Sequence, residues 1–332
     1  MKVTELRKVV AAHSADDLRA LVVELYKALP KKRKEDEDLQ AMLRRPGEIR
    51  EIRKWRREPA RPDVGSLIYD VESFLEAARN QLYYAPNRII PKRERSQWRF
   101  RVKRFVKDLL AAAEDPEDLP EAAKLLEELY DVLCTASGQW LFPSEDPFRA
   151  VGIPQPDFLA HVLTLRQASE PPGDFVRRGL TLALESELDR HTLHAHLMVA
   201  LLEHLRTPAL RELALEECTA RRTALGEEPP RRTGRRGETT GWSSEHEWRE
   251  RTRHLSEMGF RCHLALGQPE EAIEYFRHHW RWDDNPEVRL FCLLDLREEA
   301  GLPDLWCREY DRAVADGVKP RNELERERKA LR

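Results

Sequence analysis

Four residues near the C-terminal end of this chain recur at a single spacing. Gly267 and Gly301, Pro269 and Pro303, Phe276 and Tyr310, and Pro286 and Pro320 each lie 34 residues apart. A fixed period of about 20 to 50 residues marks stacked supersecondary units. The repeated residue types say which units. A glycine accepts the left-handed conformation that ends a helix. A proline two residues later suits the first turn of the next one. The spacing therefore predicts helix, tight turn and helix, repeated.

The rest of the chain agrees. Strand signals are almost absent: no stretch alternates with period two, and no hairpin turn joins two alternating runs. Ser14 with Asp17 predicts a capped helix carrying Leu18, Leu21, Val22 and Leu25 on one face. Asp63 predicts a second cap, before a stripe of Leu67, Ile68, Val71, Phe74 and Leu75. A helix is expected from about Glu94 to Ala113, buried through Trp98, Val102, Phe105, Leu109 and Ala113. Helices are also expected near Asp157, over 173–187, over 190–205 and over 208–224. WLFPSEDPFRAVGIPQPDF, from Trp140, reads as an ordered aromatic loop that plugs the core. GEEPPRRTGRRGETTGWSS, from Gly226, has little to bury and reads as a linker. The expected fold is all-α: an N-terminal helical domain (1–143), middle helical hairpins (144–225), a flexible linker (226–243), and a helical-hairpin repeat region with a C-terminal cap helix (244–332).

ALGQPEEAIEYF, with Gly267, Ala272 and Ile273, resembles the second half of a tetratricopeptide repeat. EAGLPDLWCREYDRAVADGVKPR, with Gly317 and Pro320, also resembles a pentatricopeptide repeat. The resemblance spans about 75 of the 332 residues. Trp306 departs from it, standing where a small residue is usual. It implies a solenoid of helix pairs presenting a concave surface to a peptide, or to single-stranded RNA for the pentatricopeptide kind. LRKVVAAHSADDLRALVVELY resembles the start of uncharacterised bacterial helical proteins, which implies no activity.

Charge is arranged in blocks. The totals nearly cancel: 57 Lys and Arg against 60 Asp and Glu leave a formal net charge of −3. No global field attracts a polyanion, so only local patches count. Between Arg88 and Lys107 stand nine basic residues and one acid. Arg95, Arg99, Lys103 and Lys107 fall at i, i+4, i+8 and i+12, a single ridge. Like charges so placed oppose an isolated helix by about 0.2–0.5 kcal/mol per pair. The first expectation is that the eight acids of Glu114–Asp131 face this ridge from the next helix. The alternative is a nucleic-acid site, with phosphates on the ridge and Trp98 stacked on a base.

No catalytic site, cofactor or metal site is expected. There is no P-loop, GxGxxG or GxSxG. HEWRE, from His246, lacks the second His of a zinc-protease clamp. HTLHAH places His191 and His194 on one helical face, with His196 pointing elsewhere and His204 two turns beyond. A metal-dependent enzyme, the third and weakest reading, would need an acid or Cys to join them. PKKRK, from Pro30, runs straight into acids and reads as a solvated charge run. Five scattered cysteines without CxxC, no apolar leader and no span-length apolar run point to the cytoplasm, with no membrane partner. The expected function is a non-enzymatic scaffold or adaptor binding a protein or peptide through Arg277, Trp282, Arg297 and Arg308.

Overall fold

The structure is a computed structural model, and it describes residues 5, 9–30, 43, 44, 47, 63–227, 241–280 and 285–331. The chain forms two compact units, Met1–Arg61 and Pro62–Arg332. In the first unit, helix α1 (Ala15–Ala28) starts on the predicted cap. The Ser14 hydroxyl accepts from the Asp17 amide, and the Asp17 carboxylate accepts from the Ser14 amide. Its apolar residues Leu21, Val22, Val23 and Leu25 are exposed. PKKRK falls outside the described residues apart from Pro30.

In the second unit the described residues contain helices and no strand. They are α2 (Val64–Arg79), α3 (Lys92–Arg95), α4 (Trp98–Ala112), α5 (Leu119–Gly138), α6 (Pro147–Val151), α7 (Gln155–Ser169), α8 (Pro172–Glu185), α9 (His194–His204), α10 (Pro208–Ala224), α11 (Gly241–Ala265), α12 (Pro269–His279), α13 (Pro286–Glu299), α14 (Pro303–Ala315) and α15 (Asn322–Ala330). Proline opens the first turn of α5, α6, α7, α8, α10, α12, α13 and α14. Its missing amide costs nothing there, because first-turn amides have no intrahelical acceptor.

The three C-terminal glycines behave alike. Gly267, Gly301 and Gly317 have φ of +75°, +66° and +90°. Each time the next amide reaches back five residues: Gln268 to His263, Leu302 to Arg297 and Val318 to Ala313, at 2.9, 3.0 and 2.9 Å. This is the bond that consumes the last orphan carbonyls of a helix ending on a left-handed residue. Pro286 opens α13, whereas Pro320 stands before the cap residue of α15. The period therefore holds for the caps and loosens at the last proline.

One apolar cluster runs from Leu67 on α2 to Cys262 on α11. It crosses residue 143 without a gap, so the expected boundary there is not a break in the core. The aromatic stretch is the reason. Phe142 stacks on Trp98 at 4.1 Å, and Phe148 packs edge-on to Phe158, all four fully buried or nearly so. The same cluster joins helices on both sides of the expected linker. Of that linker, 228–240 lie outside the described residues, while 241–243 begin α11.

Two smaller clusters follow. Phe260, Ile273, Phe276, Trp280, Leu293 and Leu296 join α11, α12 and α13. Leu290, Leu294, Trp306, Tyr310 and Leu324 join α13, α14 and α15. Helix α13 thus buries residues in both.

Candidate functional site

The basic stretch departs from a single helix. The chain turns at Ser96 and Gln97, and the long helix begins only at Trp98. Arg95 therefore belongs to α3, where its Nη1 donates to the Ala85 carbonyl at 2.7 Å. Trp98 is 2% exposed and cannot stack on a base. Arg99, Lys103 and Lys107 do share the outer face of α4, and all three are exposed.

The acids expected to cover that ridge turn elsewhere. Glu128 pairs with Arg79 at 3.0 Å. Glu121 pairs with Lys124 one turn away. Glu127 accepts from Arg166 Nε at 2.6 Å and from Arg178 Nη1 at 3.0 Å. Among the described residues no ion pair reaches Arg99, Lys103 or Lys107. Helices α4 and α5 do pack together, but through Val102, Phe105, Leu109, Leu126 and Leu133, not through charge.

A residue not singled out from the sequence completes this face. Phe100 is 54% exposed, with the Arg99 guanidinium 4.9 Å from its ring centre. The signal was present: with Trp98, Val102, Phe105 and Leu109 inside, position 100 points outward. Arg149 on α6 is also exposed and has no ion pair among the described residues. Nothing in the sequence places it near α4. The structure does, because Gly152, just past α6, lies against Lys103.

The C-terminal candidates are engaged within the chain. Arg308 Nη2 donates to both oxygens of Glu270 at 2.5 and 2.6 Å, and this bond holds the Glu270 carboxyl below its usual range. Arg277 pairs with Glu309, which is buried on α14. Arg297 is 0% exposed. Its Nη1 donates to the Leu305 carbonyl, while Nε and Nη2 have no hydrogen-bond partner. Burial pulls its guanidinium down to about 9, with the charges of Arg308 and Arg277 acting the same way. Trp282 lies outside the described residues.

Beside these arginines, α12, α13 and α14 leave an open groove of about 480 Å³. Phe276, Leu290, Leu293 and Val318 form its apolar floor, with Arg289 and Arg312 alongside and the acids Glu309 and Asp316 also in its wall. Arg289 Nε is buried without a hydrogen-bond acceptor, and neither arginine has an ion pair among the described residues.

A second recess, of about 720 Å³, lies between α5 and α8. Glu127 and Glu170 in it are both committed to Arg166 and Arg178. Asp131 has no ion pair among the described residues. Its position in the recess, then the charges of Glu127 and Glu128, push its carboxyl up to about 6. Cys134 in the same wall is buried, and burial pushes its thiol up to about 12.

The histidines separate. Helix α9 starts at His194, so His191 precedes it and shares no helical face with it. His191 instead approaches Asp146 at 3.7 Å. His196 accepts from the Leu193 amide, and His204 reaches Thr164 at 3.1 Å. His194 packs against His254 of α11, the rings tilted with centres 3.9 Å apart. Nδ1 of each lies within hydrogen-bond reach of a carbonyl, of Ala183 and Leu184 respectively. Among the described residues no three metal-ligating side chains gather. None of the described helices is long and apolar enough to cross a membrane.

Comparison with known proteins adds no relative: no protein-family model, no curated protein and no solved structure matches this chain.

Proposed function

We propose that this protein is a cytoplasmic, non-enzymatic helical-repeat adaptor that binds a protein or peptide in the groove of α12, α13 and α14. The supporting observation is the groove's composition. It combines an apolar floor with two arginines, Arg289 and Arg312, that make no ion pair with a described residue, although Glu309 and Asp316 also line it. An arginine with free donors beside apolar surface suits a carboxylate flanked by a large apolar side chain. The occupant is then an acidic peptide segment with a Leu, Phe or similar anchor. Arg277, Arg297 and Arg308 support this surface from within: they tie α12, α13 and α14 together. The tetratricopeptide-like stacking, in which α13 serves two apolar clusters, shapes the groove.

Display of random peptides against the purified full chain tests this reading. Enriched sequences should pair Asp or Glu with a large apolar residue. They should lose at least about tenfold in affinity, the share of one charge-assisted contact, when Arg289 and Arg312 are changed to Glu. No enrichment, or equal binding to that variant, overturns it.

A further inference from the structure

The outer face of α4 lies on a different surface from the groove. We propose that it binds single-stranded nucleic acid. Three observations carry this. First, Arg99, Lys103 and Lys107 are exposed and have no ion pair among the described residues, although four acids stand on α5 and four more just before it. Four residues of helix advance about 6 Å, comparable to the step between phosphates on an extended strand. The three side chains can therefore follow successive phosphates along the helix axis. Second, α6, which packs against α4 and whose following Gly152 meets Lys103, carries a further exposed cation, Arg149. Third, Phe100 stands exposed among these cations, flanked by Arg99. An open aromatic ring inside a basic track is the arrangement that stacks an unpaired base.

A second aromatic platform lies at the start of the track. Trp140 is 53% exposed and stacks on Tyr84, ring centres 5.5 Å apart. It is tied to the α3–α4 turn twice: Arg95 holds the Ala85 carbonyl beside Tyr84, and Phe142 stacks on Trp98.

These features separate the candidate occupants. A duplex hides its base faces, so it leaves Phe100 without a partner. A membrane-surface helix turns its apolar face outward, whereas α4 has its apolar face in the core and its cations outside. An acidic peptide would use the cations but not the open ring.

Fluorescence polarisation with labelled oligo(dT) and oligo(U), over a salt series, tests the proposal. A single strand releases ~0.7 counterion per phosphate neutralised, so four cations give a slope of log K against log salt of about −3. Changing Arg99, Lys103 and Lys107 to Glu should flatten that slope by about 2. Phe100→Ala should weaken binding by about five- to a hundredfold, the range for losing one stacked base, and leave the slope unchanged. Arg326→Glu with Lys329→Glu, on exposed α15, also lowers net charge and should bind as the parent does. Circular dichroism melts establish that each variant is folded. The proposal is overturned if no salt-sensitive binding occurs. It is equally overturned if the triple variant binds as well as the parent. Tighter binding to duplex DNA, to vesicles containing phosphatidylserine or to polyglutamate than to the oligonucleotides also sinks it.

Discussion

Gly259 on α11 lies directly against the ring of Tyr275 on α12. A Cβ at Gly259 would overlap that ring, and the next residue on each helix brings Phe260 edge-on to Phe276. The two helices approach as closely as they do because one of them lacks a side chain there. Gly259→Ala should therefore destabilise the protein by about 1–3 kcal/mol, the usual cost of overpacking. Tyr275→Leu in the same chain should recover part of the loss. Urea unfolding of the single and double variants measures both. Additive losses would mean that the two positions are not in contact.

Glu127 is the centre of a buried charge network. Its partner Arg166 is 11% exposed, as is Glu127 itself, and Arg166 also holds Glu170 at 2.9 Å. Removing Glu127 strands Arg166, which is mostly shielded from water, while Arg178, 41% exposed, keeps its solvent contact. Glu127→Ala should cost about 3–5 kcal/mol. Arg79→Ala, which breaks an exposed pair with Glu128, should cost less than about 1 kcal/mol. Similar losses for the two variants would contradict this ranking.

Arg297 and Arg308 are both arginines near the groove, and they should respond oppositely to intuition. Arg297 is fully buried with two donor nitrogens unsatisfied. Replacing it by Met removes a buried cation of similar length, and the change should be neutral or stabilising. Arg308→Ala breaks an exposed pair and should shift stability by less than about 1 kcal/mol. A thermal melt in which Arg297→Met loses several degrees would show that its bond to Leu305 outweighs its desolvation.

His254 and Glu257 on α11 set opposed pH dependences. Burial lowers His254 to about 3 from 6.5. Between those values the unfolded chain carries a proton that the folded chain does not. Stability therefore falls as pH drops below 6.5, by about 1.4 kcal/mol per unit. Burial raises Glu257 to about 7 from 4.5. Here the folded chain carries the extra proton, so stability is full below 4.5 and is lost as pH rises toward 7. The two slopes oppose each other between 4.5 and 6.5. His254→Gln should remove one of them, so the variant loses stability with rising pH over that interval while the parent changes less. Denaturant titrations at several pH values compare them, and parallel profiles would refute the assignment.

The sequence by itself determined the all-helical character and many helix caps, though not the break at Ser96 and Gln97, the start of α9 at His194 or the short α6. Ser14, Asp63 and the first-turn prolines lie where local chemistry requires them. Gly267, Gly301 and Gly317 adopt the left-handed caps that their spacing predicts. These features were legible because capping depends on residues within one turn. The tertiary structure alone decided which charges meet. The acids of 114–131 lie one helix from the basic ridge, yet Arg79, Arg166 and Arg178 take three of their pairings from α2, α7 and α8. Surface ion pairs contribute too little to choose a helix's neighbours. Apolar packing chooses them, and the charges pair with whatever then faces them. The same packing buried Trp98 and left Phe100 in water. It also brought α6, with Gly152 at its end, against Lys103 and turned Arg297 inward, relations that no spacing along the chain encodes.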